Sequence, residues 1–208
     1  YPVMLFNEYD KNAKANFVVV DVGLGVEKAV HYLTEKLGRK SVAFLKGPTF
    51  NRHDSVEGPI SVECMDSRQK YEGFERAMHT CKLEIRPEWI KECRAYTEEQ
   101  GYSAAKEIFG GERSPDALIT SNDATAIGAM HLLKEKGINC PGKVAVIADD
   151  GSPQGEQAVP KLTTIRQPLE EVAAEAARQL VEIVEERNLD MVRAKFKFDP
   201  DLVIRESA

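Results

Sequence analysis

Four short stretches hold the residues best suited to chemistry. "SRQKYEGF" contains Ser67, Arg68 and Lys70; "LITSND" ends in Asn122 and Asp123; "VIADDGSP" contains Asp149 and Asp150; "TTIRQP" places Gln167 before Pro168. The set combines side-chain amides, carboxylates and cations. Carboxylates accept hydrogen bonds, amides both donate and accept, and Arg or Lys supplies charged donors. Such groups recognise adjacent hydroxyls, so the inventory suits a polyol, a sugar or another small polar metabolite. Each residue also has a simpler use. Asp123 can cap a helix, Asp149-Asp150-Gly151 reads as a turn, Gln167 can be a plain helix entry, and Lys70 can be a solvated charge.

Other chemistries find less support. The Asp149/Asp150 pair could suggest acid–base work or a magnesium site, but no third ligand or nucleophile motif accompanies it. His31, His53, His79 and His131 are dispersed without ligand spacing, which points to surface or packing roles. "DVGLG" at 21–25 is an incomplete dinucleotide fingerprint, and neither GxSxG nor a P-loop occurs. The expectation is a binding domain rather than an enzyme, with no cofactor and no metal.

These residues need a scaffold that brings strand ends together. Strand-like runs are expected at 2–7, 17–21, 41–46, 91–96, 116–121, 143–148 and 162–166. Helix-like runs are expected at 24–37, 67–80, 98–109, 123–136 and 168–187. The central strands are continuous apolar runs, as for strands covered on both faces. Gly38 and Gly137 follow helical runs as left-handed terminators. "TEEQ" at 97–100 reads as a capping box. Leu169, Val172, Ala173, Ala176, Leu180 and Val184 share one helical face, expected to be core. "GSPQ" reads as a loop. Residues 48–66 form a long connection without clear periodicity, and are either functional or mobile. Alternating strands and helices imply a parallel α/β sheet, with ligands bound beyond the carboxyl ends of its strands.

Composition sets the outer limits. The chain has 208 residues, 42% hydrophobic and 30% charged, with a formal net charge of −6. An acidic balance argues against this segment gripping nucleic acid by itself. Cys64, Cys81, Cys93 and Cys140 show no CxxC spacing and read as packed, unbridged thiols. With no signal-peptide pattern and no apolar run long enough to span a bilayer, a cytoplasmic location away from membranes is expected.

In order, "VVVDVGLGVEKAVHYLTEKLGRKSVAFLKGP", "SRQKYEGFERAM", "SNDATAIGAMHLLKEKGINCPGKVAVIADDGSP", "PKLTTIRQP" and "PDLVIRES" resemble the effector-binding core of the lactose-repressor/galactose-repressor (LacI/GalR) family. The resemblance runs over nearly the whole chain. It implies a periplasmic-binding-protein-like type I fold, with two parallel-sheet α/β subdomains around a ligand cleft. The family's cleft contacts map onto Lys70, Asn122, Asp123, Asp149 and Gln167. Three departures stand out. Lys70 replaces the usual Arg and loses its bidentate fork, Ala148 replaces a common aromatic, and the 48–66 connection is longer than usual and could line or cover the cleft.

The resemblance further implies that residues 1–20 and 168–191 belong to an N-terminal subdomain, incomplete in this chain. Residues 21–165 and 192–208 would form the C-terminal effector-binding subdomain. Further strand–helix units and a helix-turn-helix domain are expected before Tyr1. The implied role is the ligand-sensing and dimerisation core of a bacterial transcriptional regulator. It would form a homodimer, bind a small sugar-like effector, and reach DNA only through that separate domain. A sensor domain of a multidomain signalling protein and a periplasmic sugar-binding receptor share the fold and remain as alternatives.

Overall fold

The computed structural model describes residues 4–6, 16–55, 58–185 and 195–208; for residues 6, 51–55, 58–62 and 195 it describes the backbone alone. Its largest sheet has six strands: β3 (Val42–Lys46), β6 (Ile90–Glu92), β7 (Ala117–Thr120), β8 (Ala145–Asp150), β9 (Thr163–Arg166) and β11 (Asp201–Val203). Their order is β11-β9-β8-β7-β3-β6, parallel throughout except for β11, which runs antiparallel to β9.

The apolar runs are continuous because both faces are covered. Val42, Phe44, Ala117, Ile119, Ala145 and Ile147 pack on one side, beneath helices α1 (Val22–His31) and α2 (Met65–Thr80). Ala43, Leu45, Leu118, Val146 and Ala148 pack on the other, beneath α3 (Glu98–Ile108) and α4 (Asp123–Glu135). Alternate residues of each strand thus feed two separate cores, as the pleat demands. Burying a side chain such as Phe44 stabilises the fold by about 1.5–3 kcal/mol.

α3 and α4 cross backbone to backbone. A methyl group on Gly128 would stand 1.9 Å from the Glu98 carbonyl oxygen, and one on Gly101 would stand 2.0 Å from that of Thr125. Only glycine permits that approach. Gly38 and Gly137 do adopt left-handed φ values of +67° and +66°. Thr97 caps α3 by accepting from the Gln100 N–H. The capping box closes on one side only, since Gln100 Oε1 accepts from the Arg94 N–H instead.

A second sheet has three parallel strands in the order β1-β2-β10: β1 (Met4–Phe6), β2 (Asn16–Val20) and β10 (Lys195–Phe198). Helix α6 (Leu169–Glu185) packs on it through Val172 and Ala176, against Val18, Val20 and Val22. The resemblance groups residues 1–20 with 168–191; β1, β2 and α6 are the described parts of that grouping. The tail 192–208 does not stay whole. Residues 195–198 pair with β2 in this small sheet, and only the part from β11 onward joins the large one.

Several expectations change. The connection 48–66 contains an antiparallel hairpin, β4 (Phe50–Ser55) with β5 (Gly58–Glu63). Its pairing joins residues within one local ribbon, and the sequence there shows no apolar alternation to mark it. "GSPQ" opens a short helix, α5 (Pro153–Gln157), with Pro153 at its start. β6 ends at Glu92, short of the expected 96, because the chain turns ahead of the Thr97 cap. On α6 the buried positions are Val172, Ala176, Gln179 and Ile183; Leu169, Leu180 and Val184 are exposed. A three-stranded sheet covers a narrow strip of a helix, and the flanking apolar residues lie outside it. The expected strand ends at residues 2, 3 and 7, and the last two residues of the 168–187 helix, lie outside the described residues.

Candidate functional site

The carboxyl ends of β7, β8 and β9 and the first turns of α2 and α4 supply the polar cluster. Lys70 lies in the second turn of α2 and is 2% exposed, among the most enclosed side chains in the protein. Its ammonium donates to the Ser121 carbonyl at 2.9 Å. It lies 3.2 Å from Asp66 Oδ2 and 3.6 Å from Asp149 Oδ1. The solvated reading of Lys70 is therefore excluded.

Asp149 sits at the end of β8 with no exposure. Its Oδ1 accepts from Gln167 Nε2 at 2.8 Å, whereas its Oδ2 is enclosed without a hydrogen-bond partner among the described residues. Gln167 follows β9 directly, so the alignment of β8 with β9 brings the two side chains together.

Charge is unevenly shared here. Burial opposes the Lys70 charge, but Asp149, Asp66 and Asp150 outweigh it and hold the ammonium above the ordinary lysine range. Burial raises the Asp149 carboxyl further than Lys70 and Gln167 pull it down. Asp150 is an exposed residue whose carboxyl stands among these groups. It is pushed up to about 7, by desolvation first, with Lys70 opposing and Asp149, Asp123 and Asp66 adding repulsion. Three carboxyls around one ammonium cannot all ionise freely. Asp150 also holds a positive φ of 117°, a conformation unusual for a residue with a side chain.

Asn122 and Asp123 answer to local structure first. Asn122 is the N-cap of α4, its Oδ1 accepting from the Thr125 N–H at 2.9 Å and the Thr125 hydroxyl at 2.7 Å. Its Nδ2 makes a long contact of 3.5 Å to the Tyr96 carbonyl. Asp123, expected as a possible cap, is instead the first helical residue. Its carboxylate accepts from the Ser152 N–H at 2.6 Å and the Thr164 hydroxyl at 2.7 Å, tying α4 to β9 and to the chain beyond β8. Both carboxylate oxygens are thus engaged.

Lys70, Asp149 and Gln167 are brought into contact, with Asn122 and Asp123 one residue or two beyond Ser121. Ser67 and Arg68 are placed elsewhere. They line a small cavity of about 120 Å³ with Lys46, Cys64 and Tyr71, and Arg68 pairs with Glu72 at 2.8 Å and Glu63 at 3.4 Å. Sequence reasoning missed Asp66, Ser121 and Tyr96. Asp66 stands four residues before Lys70, a spacing that pairs charges on a helix. Tyr96 donates to Asp66 Oδ1 at 3.4 Å. The Ser121 contribution is a backbone carbonyl, which side-chain inventory cannot reveal.

The arrangement offers one enclosed carboxylate oxygen, an ammonium and amides. It can bind and orient hydroxyl or amino groups. Lys70 and its partners leave no group poised as a nucleophile. None of the four cysteines forms a disulfide. Among the described residues, no helix is long and apolar enough to cross a membrane.

Comparison with known proteins identifies the fold and the family. The family model for the periplasmic binding protein-like domain matches residues 30–208. The HTH-type transcriptional repressor PurR of Haemophilus influenzae is 34% identical over 142 residues, which cover 68% of this chain and 42% of that repressor. The chain thus spans about two fifths of the length of the curated relatives it matches, 42% for this one. The crystal structure of a regulatory protein of LacI family from Chloroflexus aggregans superposes with a TM-score of 0.85 at 29% identity, covering 100% of this chain and 68% of that one. A sugar-binding transcriptional regulator of the same family from Escherichia coli, complexed with phosphate, gives a TM-score of 0.80 at 26% identity, with 100% and 68% coverage. These relatives are named as regulators and repressors rather than as enzymes. The chain belongs to the periplasmic binding protein-like domain family, and it is similar over its length to regulatory proteins of the LacI family.

Proposed function

We propose that this chain senses a small, hydroxyl-rich effector at the carboxyl ends of β7, β8 and β9, on behalf of a regulator that acts on DNA through a separate helix-turn-helix domain. The observation that carries the reading is the Asp149 Oδ2 atom, enclosed beside Lys70 and Gln167 and without a hydrogen-bond partner among the described residues. An unsatisfied buried acceptor costs about 1–3 kcal/mol. A ligand O–H or N–H recovers that cost when it binds. Asn122 Nδ2, whose bond to the Tyr96 carbonyl is long at 3.5 Å, is a second donor for the same ligand.

A sugar is the favoured class. The E. coli relative is a sugar-binding regulator, and the residues here match hydroxyl recognition. Lys70 stands in place of an arginine fork and gives its ammonium to Ser121, Asp66 and Asp149, so this chain reads its ligand's hydroxyls without the bidentate contact that arginine offers. Ligand-dependent reorientation of two subdomains would then couple the cleft to operator binding in a dimer.

The test is a thermal-shift screen of mono- and disaccharides on the purified protein, with Asp149→Asn as the comparison. The expected result is a sugar that raises Tm in a concentration-dependent way for the wild type and less for the variant. A panel in which every shift is equal in both proteins would remove Asp149 from the binding site.

A further inference from the structure

We propose that His31, Glu35 and Cys81 form a binding site for a borderline divalent cation of the Zn2+ type, separate from the effector cluster. His31 closes α1, Glu35 lies four residues on, and Cys81 caps the C-terminus of α2. One ligand atom from each falls within 4.8 Å of the others. Imidazole, carboxylate and thiolate are the protein ligands of zinc.

The distances fit. With Zn–S at about 2.3 Å and Zn–N at about 2.0–2.1 Å, a sulfur and a nitrogen on a tetrahedral ion stand ~3.6 Å apart. Cys81 Sγ and His31 Nδ1 are 3.6 Å apart. The corresponding nitrogen-to-oxygen edge is ~3.3 Å. His31 Nδ1 and Glu35 Oε1 are now 2.8 Å apart, sharing a hydrogen bond. A cation between them replaces that bond and needs the glutamate, 63% exposed, to withdraw by about 0.5 Å.

Two further features support a ligand. Residues Tyr32–Lys36 form a π-helical turn at this point, and such widened turns recur at functional sites. His31 and Glu35 also border a surface cavity of about 420 Å³, which gives water access to a fourth coordination position. Thr34 Oγ1, which donates to the Val30 carbonyl at 2.9 Å, lies 3.4 Å from Cys81 Sγ and borders the site. On binding, the thiol releases its proton to solvent and the imidazole proton moves to Nε2.

An i,i+4 His–Glu pair alone would be an ordinary surface contact. It does not account for a thiol from another helix at the coordination distance. The ion would fasten the C-terminus of α1 to that of α2, the helix that carries Lys70 in its second turn.

The experiment is a Co2+ titration of the untagged, reduced protein, followed by absorption spectroscopy. The expected result is one equivalent of Co2+ with a thiolate-to-metal charge-transfer band, lost in Cys81→Ser and strongly reduced in His31→Ala, with both variants folded by circular dichroism. In parallel, Zn2+ should slow alkylation of Cys81 in the wild type, but not that of Cys64, Cys93 or Cys140, as read by peptide mass spectrometry. The alkylation readout needs no variant. A wild type without the thiolate band, a band unchanged in Cys81→Ser, or alkylation of Cys81 unaffected by Zn2+ would overturn the proposal.

Discussion

The Lys70 ammonium lies 3.6 Å from the Asp149 carboxylate, and the two side chains are 2% and 0% exposed. A buried pair of this kind is costly to break from one side, because the remaining charge loses its partner in a low-dielectric setting. Lys70→Met should therefore destabilise the protein by about 3–5 kcal/mol, measured by urea unfolding. Lys70→Met combined with Asp149→Leu should recover most of that loss. A double variant no more stable than Lys70→Met would show that the pairing is not what the single substitution removes.

Asp123 accepts from both Ser152 and Thr164. Hydrogen bonds to a charged group each contribute about 1.5–3 kcal/mol. Asp123→Ala should accordingly lower stability by an amount on that order. Thermal or urea melts give the answer, and a variant as stable as the wild type would assign Asp123 to the ligand instead.

Those two residues also mark how far the sequence reading reached. The order of strands and helices was legible because each strand is an apolar run and each helix carries an end signal, such as Gly38, Thr97 or Gly137. Lys70, Asp149 and Gln167 were legible as strand-end and helix-start polar residues. Asn122 and Asp123 were found, but their roles were not separable, since adjacent cap-forming residues look alike without a backbone. Ser67 and Arg68 share the Lys70 segment yet line another cavity, and Arg68 is drawn to Glu63 and Glu72, pairings that the spacing of polar residues alone does not rank. The β4–β5 pairing was not legible because its residues carry no clear periodicity in the sequence. The hidden partners of Lys70 are a backbone carbonyl and a helix neighbour, which motif reading passes over.

Asp150 binds its proton more tightly in the folded state than an ordinary aspartate, up to about 7 against a reference of 3.8. The sign follows directly. The folded form holds more protons between these values, so its contribution to stability is present below pH 3.8 and is lost as pH rises towards about 7. Solvent reaches this residue, so the effect is small and is read by difference. Asp150→Asn should show a shallower decline in urea-unfolding free energy from pH 4.5 to 7.5 than the wild type. Parallel pH profiles would place the carboxyl outside the charged cluster.

The α3–α4 crossing leaves no room beside Gly128. Gly128→Ala forces the backbones apart, at a cost of about 1–3 kcal/mol for overpacking, despite the better helix propensity of alanine. The expected outcome is a lower urea midpoint with an unchanged slope. A stabilised variant would contradict the close approach of the two helices.

The central claim is that the enclosed Asp149 carboxylate receives a ligand donor. Calorimetric titration of the sugar selected by the thermal screen into wild type and Asp149→Ala tests it most directly. Losing a charge-assisted hydrogen bond of about 1.5–3 kcal/mol should weaken binding on the order of tenfold to a hundredfold, with far-ultraviolet circular dichroism unchanged. Equal affinity in a folded Asp149→Ala variant would contradict the account and move the binding site away from the ends of β8 and β9.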